Sequence, residues 1–173
     1  MTALTQEETR RALADIKDFL LRAAALAALL AVLFGAVFGL ALQPDDTMHP
    51  HIKPGDLLLY YRLTRDYTAG EAVVFTKDGT RYTGRVAARG GDTVEVTDAA
   101  LLVINGSVVA EPDIYESTPR YESGVTYPLT LADGEYFILC DAREGARDSR
   151  WFGLVAKGEI QGKIIAVVRR NGV

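Results

Sequence analysis

The sequence has very little of what builds disulfides and metal sites. Its single cysteine, Cys140, excludes a disulfide within the chain, so the fold must be stabilised by its core. The two histidines, His49 and His51, are too few and too close together to form a convincing zinc site. We therefore expect no metal and no cofactor.

Clustered positive charge is also missing. Residues 43–173 carry 15 Lys and Arg against 19 Asp and Glu, so the net charge of −4 belongs to this part of the chain. A mildly acidic domain without a basic cluster binds nucleic acid poorly, because the phosphate backbone attracts positive charge. We expect no nucleic-acid partner.

What the sequence does contain is a long apolar run. Ala23 to Leu42 are twenty consecutive residues drawn only from Ala, Leu, Val, Phe and Gly. A helix of this length, at about 1.5 Å per residue, matches the roughly 30 Å hydrocarbon core of a bilayer. It is longer than the apolar region of a cleavable signal peptide, about 7–15 residues. We predict a transmembrane helix over 23–42 after a short segment 1–22; a fully buried core helix is the alternative.

The charges that flank the apolar run predict its orientation. Four basic residues precede the run, the last of them Arg22, whereas Asp45 and Asp46 follow it and no basic residue occurs before Lys53. Positive charge is retained on the cytoplasmic side of a membrane. We predict a single-pass protein of the cell membrane, with a cytoplasmic N-terminus and residues 43–173 outside.

Residues 43–173 are predicted to form a mainly β domain with an antiparallel sheet or barrel-like assembly. Short stretches of β-forming residues alternate with turns about every ten residues. The clearest hairpin is centred on Asn105-Gly106, a pair that suits the two positive φ angles of a type I′ turn. The predicted strands are 57–63, 72–76, 81–88, 93–96, 101–104, 107–110, 135–140 and 160–169.

Four segments, in this order behind the apolar run, resemble the type I signal peptidase family (peptidase family S26). The first is Asp45–Pro50, which is similar to the family's nucleophile box, and the second is Pro54–Tyr60. The third comprises Gly70–Phe75, Tyr82–Val86 and Gly90–Val94, and the fourth is Asp141–Gly153, similar to the family's closing box. The resemblance extends over the whole chain. It implies a signal-peptidase-like antiparallel β domain on one N-terminal transmembrane helix.

In this family, the resemblance implies, a serine hydroxyl attacks the peptide carbonyl and a neutral lysine removes its proton. Thr47 stands at the serine position, and Gly84, just before Arg85, stands at the lysine position. Glycine removes no proton, and a guanidinium stays protonated, so Arg85 is no substitute base. The resemblance also implies that Asp45, two residues before Thr47, places a carboxylate near the developing oxyanion, where catalysis needs donors. A threonine assisted by His49 remains an alternative.

Other family positions are kept. Met48 and Pro50 remain in the first box, and the closing box, Asp141–Gly153, retains Asp141, Arg143, Asp148, Ser149 and Arg150. The resemblance implies that the serine matching Ser149 orients the lysine, which is absent here, while the charged residues hold the loops of the site through charge-assisted contacts. Cys140 and Ala142 replace the usual glycine and asparagine, and we expect Cys140 to be a small buried hydrophobic residue.

The leading hypothesis is a non-catalytic, SipA-like member of the family, as found in Gram-positive bacteria, that retains a peptide-binding groove. The resemblance implies a chaperone or scaffold in pilus and surface-protein assembly. Its expected partners are extended segments of exported or pilin proteins, a sortase and the lipid membrane. The alternative is an active signal peptidase with a rewired site. A third interpretation is a generic anchored β domain with chance motif matches.

Overall fold

The computed structural model describes residues 2–169. The chain divides into two compact units, the first ending at Phe38 and the second beginning at Gly39. The first unit is helical: α1 spans Thr2–Val32, and a π-helical turn follows at Leu33–Val37. Glu7–Val37 is long and apolar enough to cross a membrane, and its side chains are largely exposed.

The helix does not extend to Leu42, and the predicted helix 23–42 is wrong at its C-terminal end. Phe38–Leu42 form strand β1 at the edge of a sheet, next to β2 (Leu57–Tyr61). Gly39 lies directly against the ring of Tyr60, where an added Cβ would come 2.2 Å from Cζ. Ala41 is buried in the same cluster. The end of the apolar run therefore serves the core of the β domain.

The second unit is mainly antiparallel β, as predicted. After β1 and β2 come nine further strands and a short helix. Their bounds are β3 (Ala72–Lys77), β4 (Thr80–Arg89), β5 (Thr93–Val96), β6 (Leu102–Ile104), β7 (Ser107–Val108), β8 (Leu129–Thr130), β9 (Glu135–Leu139), α2 (Ser149–Phe152), β10 (Val155–Ala156) and β11 (Ile160–Val168), with a 3₁₀ turn at Lys157–Glu159.

The strands form two sheets. One has the order β1-β2-β11-β3-β4-β9-β10, and the other has the order β7-β6-β5-β8. The predicted type I′ hairpin between β6 and β7 is confirmed, since Asn105 and Gly106 have φ angles of 54° and 79°. The sequence did not predict β1, β8 or β10, of which the last two are only two residues long.

Strand β9 joins the cores on the two faces of the larger sheet. Because successive side chains of a strand point to opposite faces, Phe137 and Leu139 pack in the cluster that includes Val94 of the second sheet. Tyr136 and Ile138 pack on the opposite face with Phe75. All four β9 side chains are at most 3 % exposed, which fixes the closing box that follows β9.

Candidate functional site

The segment that resembles the nucleophile box is a tight turn after β1. The His49 amide donates to the Asp46 carbonyl at 2.8 Å, and the Ile52 amide donates to the Met48 carbonyl at 2.9 Å. Met48 and Ile52 are buried in the core. Burial of these two apolar side chains anchors the turn. Thr47 lies in the segment between the end of β1 and the buried Met48.

The hydroxyl of Thr47 is directed at a carboxylate. Thr47 Oγ1 donates to Asp45 Oδ1 at 2.6 Å, and the Thr47 amide donates to the same oxygen at 3.2 Å. Gln43 Nε2 also donates to Asp45 Oδ1, at 2.9 Å, and lies 3.3 Å from Thr47 Oγ1. His49 is exposed, and the structure gives no hydrogen bond between its ring and Thr47 within residues 2–169. The predicted His49-assisted threonine therefore gains no support.

The thiol of Cys140 lies beside Thr47. Burial raises the pKa of Cys140, and a hydrogen bond with Thr47 opposes this only in part. Its Sγ lies 3.7 Å from the Thr83 carbonyl. The thiol therefore stays protonated at neutral pH, in keeping with its predicted role as a small buried residue.

Gly84 lies in a packed core. A Cβ added there would come 2.5 Å from Ile138 Cγ2, 3.2 Å from the Leu139 carbonyl oxygen and 3.3 Å from Phe75 Cε1. The neighbouring Ile138 and Phe75 are fully buried. Position 84 therefore carries no side chain, and a Cβ there would require Ile138 to shift.

A cleft of about 400 Å³ opens next to Thr47. Its lining includes Gln43, Asp45 and Thr47 from the region after β1, Arg81 and Thr83 from β4, and Cys140. Strand β4 pairs with β9 only from Arg85 to Arg89, whereas 80–84 pair with β3 alone. The cleft therefore runs along an edge of β4 that β9 leaves open.

Arg85 and Asp141 form a separate ion pair. Arg85 Nε and Nη2 donate to the two carboxylate oxygens of Asp141 at 2.8 and 2.6 Å. Hydrogen bonding to Asp141 raises the pKa of Arg85. His51 Nδ1 lies 3.1 Å from Asp141 Oδ2, and Arg85 Nη1 donates to the Gly70 carbonyl at 2.7 Å. This bidentate pair holds the start of the closing box against β4.

A second buried pair lies at the end of the closing box. Arg150 Nε and Nη2 donate to the Asp148 carboxylate at 2.9 and 2.8 Å, and both side chains are fully buried. Burial lowers the pKa of Arg150, but the contacts with Asp148 outweigh it and the net shift is upward. Asp148 also accepts from the Cys140 amide at 3.1 Å. Ser149 Oγ accepts from the Ile138 amide at 2.9 Å.

Arg143 fastens the polar excursion 111–128 to the domain. Its Nη2 donates to Glu111 at 2.5 Å, its Nη1 to Thr118 Oγ1 at 2.6 Å and its Nε to the Cys140 carbonyl at 2.8 Å. Only 1 % of the Arg143 side chain is exposed. The guanidinium of Arg143 therefore donates its hydrogen bonds within the protein and not to solvent.

The structure separates the residues that the sequence predicted as one site. Asp45 and Thr47 line the cleft, whereas Arg85 and Arg143 line a second cavity of about 310 Å³ that also contains His51. The remaining predicted residues do not line the cleft: Gly84, Met48, Asp141, Asp148, Ser149 and Arg150 are buried, and Pro50 lies in the turn. They are placed to hold the loops around it.

Sequence reasoning missed four residues of this region. Gln43 directly follows the apolar run and is 1 % exposed, and its Oε1 has no hydrogen-bond partner among the described residues. Arg81 and Arg147 line the cleft. Arg81 could have been found from the sequence, because it lies two residues before Thr83 on a predicted strand and its side chain shares the same face. No local signal marked Ile138, because its role depends on contact between two strands.

Known proteins similar to this chain are signal peptidases. A family model described as signal peptidase, peptidase S26, matches residues 16–169. Signal peptidase I of Bacillus licheniformis is 30% identical over 154 residues, which covers 82% of each chain. Signal peptidase I S of Bacillus subtilis (strain 168) is 28% identical over 153 residues, covering 82% of this chain and 83% of the relative. The crystal structure of a signal peptidase I from Enterococcus faecalis V583 is 27% identical, covers 58% of this chain and 97% of its own, and has a TM-score of 0.49.

Proposed function

This chain belongs to the S26 signal peptidase family, and we propose that it is a non-catalytic member that binds extended peptide segments without cutting them. Membership rules out a generic β domain with chance motif matches. Family membership alone does not establish activity, because function depends on the site. The proposal therefore depends on the geometry around Thr47 and Gly84.

One observation supports the proposed absence of catalysis. The position that matches the family's lysine is Gly84, and a side chain there would collide with Ile138 Cγ2 at 2.5 Å. A general base must lie within hydrogen-bond reach of the proton it removes. No amine is available at this position, and Ile138 Cγ2 lies where a side chain at position 84 would begin.

The cleft supports peptide binding by strand addition. Residues 80–84 of β4 pair with β3 on one side only, and β1 is the edge strand of the same sheet. Unpaired strand edges bind extended segments through main-chain hydrogen bonds. The family site would then survive as a binding groove, with the buried pairs of the closing box as its support.

We assign the protein to surface-protein assembly, as a chaperone or scaffold for pilin-like proteins anchored in the cell membrane. Exported segments, together with a sortase, are the partners. The test is deletion of the gene, followed by measurement of surface-fibre length by immunoblot and electron microscopy. Shortened fibres, restored equally by the wild type and by Thr47→Ala, are the expected result. Unchanged fibre length would contradict the role.

The alternative is an active signal peptidase with a rewired site, and one contact favours it. The hydroxyl of Thr47 donates to the Asp45 carboxylate at 2.6 Å, so an acceptor is in place for its proton. A carboxylate is a much weaker base than a neutral amine, and it places negative charge where the oxyanion would form. Cleavage of a preprotein that both Thr47→Ala and Asp45→Asn abolish would establish this alternative.

A further inference from the structure

Two arginines line the cleft beside Thr47. Arg81 lies near the start of β4 and Arg147 lies in the closing box. Both are exposed. No carboxylate lies within ion-pair distance of either among residues 2–169, and the one contact recorded for Arg147 is with the ring of Trp151, at 5.7 Å. The two guanidinium groups are therefore available to a ligand.

The other arginines around the closing box form ion pairs within the protein. Arg85 is paired with Asp141, Arg150 with Asp148 and Arg143 with Glu111. The lining of the cleft includes one acidic residue, Asp45, and its carboxylate accepts hydrogen bonds from Thr47 and Gln43 rather than from an arginine. Two positive charges against one negative charge leave the cleft basic in a chain of net charge −4.

We propose that this cleft selects extended segments that carry an acidic side chain, and that Arg81 and Arg147 read its carboxylate. The inference rests on the proposed peptide binding and adds the chemical class of the peptide. Arginine donates two parallel hydrogen bonds to a carboxylate, which gives geometric selection as well as charge attraction. The main chain of the bound segment would pair with residues 80–84 of β4, and the acidic side chain of the segment would contact the two arginines.

Position along β4 supports this assignment. Arg81 and Thr83 are two residues apart, so their side chains leave the strand on the same face, and both line the cleft. Tyr82 also contributes to the lining, and its ring stacks on Phe75 with the centroids 5.6 Å apart. A segment added beside β4 would therefore pass Arg81 at the same face as the threonines of the cleft.

The test measures binding of short fluorescent peptides to the full-length chain in detergent micelles by fluorescence anisotropy. The peptides consist of small uncharged residues with a single Glu moved through every position, and the controls replace that Glu by Gln or Lys. We expect the best Glu peptide to bind about tenfold more tightly than its Gln counterpart, because two guanidinium groups would donate to one carboxylate. Added salt should reduce this preference.

The variants are Arg81→Gln, Arg147→Gln and the double substitution. Arg89→Gln is the matched control, because Arg89 is an exposed arginine of the same strand that does not line the cleft. The double variant should lose the Glu preference while its affinity for the Gln peptide stays unchanged, and Arg89→Gln should retain it. Binding that is equal for Glu and Gln peptides would overturn the inference and leave peptide binding intact. Failure of all peptides to bind would overturn both.

Discussion

At the scale of single residues, Gly84 and Ile138 define what this site can do. The two positions were not linked in the sequence, where Gly84 is recognisable only as an absent lysine. In the structure they touch, and Ile138 belongs to the same cluster as Phe75. The contact beside Gly84 could not be predicted from the sequence, because it depends on how β9 packs against β4.

The first prediction concerns the stability of Gly84→Ala. The added methyl group would meet Ile138 Cγ2 at 2.5 Å, so the free energy of unfolding should fall by about 1–3 kcal/mol, as for other overpacked cores. Chemical denaturation of the full-length chain, followed through the unfolding of residues 39–173, measures this change in free energy. Because Ile138→Ala removes the opposing methyl group, the loss should be smaller in that background.

Gly158→Ala is the matched control for this prediction. A Cβ at Gly158 meets no atom within 4 Å, so its effect should stay within about 0.5 kcal/mol. Equal effects at both positions, or a Gly84→Ala cost that is unchanged by Ile138→Ala, would mean that Ile138 does not occupy the space beside Gly84.

The second prediction concerns the reactivity of Cys140. Because burial raises the pKa of its thiol, the neutral form should persist as the pH rises past about 8.5, where a free cysteine ionises. Alkylation by iodoacetamide should therefore remain slow at pH 9 in the folded chain and become fast in denaturant. An exposed thiol introduced by Ser123→Cys should react quickly under the same folded conditions. Rapid alkylation of native Cys140 would contradict its burial.

At the scale of elements, the boundary between helix and strand shows where sequence reasoning failed. The apolar composition continues without interruption to Leu42, so it carries no sign that β1 begins at Phe38. Gly39 was the available clue, because a glycine in a strand often marks a close approach of another group. That group, the ring of Tyr60, is twenty-one positions further along the chain. Strands β3, β5 and β9 were recognisable because each alternates or ends at a turn.

The third prediction concerns the excursion 111–128. Arg143→Met would leave Thr118 and the Cys140 carbonyl without their donor and Glu111 without its ion pair. The free energy of unfolding should fall by about 3 kcal/mol or more, as when one partner of a buried pair is removed. Hydrogen exchange of the amides from Glu111 to Thr118 should accelerate.

Arg147→Met provides the control in the same loop. Arg147 is exposed and stacks on Trp151, so its loss should cost less than about 1 kcal/mol and leave exchange in the excursion unchanged. If Arg143→Met were equally mild, the contacts of Arg143 would not be what holds the excursion in place.

At the scale of the whole molecule, the direction of the anchor is the fourth prediction. The basic residues that precede the apolar run predict that the N-terminus is cytoplasmic. Ser123 and Glu8 are both exposed in the structure, so a cysteine at either position can react with a reagent on its own side of the membrane. A membrane-impermeant maleimide applied to intact cells should therefore label Ser123→Cys and should not label Glu8→Cys. After permeabilisation both should react. Labelling of Glu8→Cys in intact cells would reverse the orientation.

The whole molecule combines an apolar helix with a two-sheet β domain that contains an open cleft. Its family could be predicted from four ordered segments, and the sequence match supports it. The separation of Asp45 and Thr47 from the buried pairs of the closing box needed the three-dimensional arrangement. Because Arg85, Arg143 and Arg150 are all paired internally, the closing box supports the cleft and the arginines Arg81 and Arg147 face the ligand.

The most direct test of the account is a cleavage assay with the purified full-length chain in detergent. A preprotein is incubated with the wild type, with Thr47→Ala and, as a positive control, with signal peptidase I of Bacillus licheniformis, and its mass is followed by mass spectrometry. We predict an unchanged preprotein mass with the wild type and with Thr47→Ala, since the glycine at position 84 supplies no base. Release of a signal peptide by the wild type, abolished by Thr47→Ala, would contradict the account.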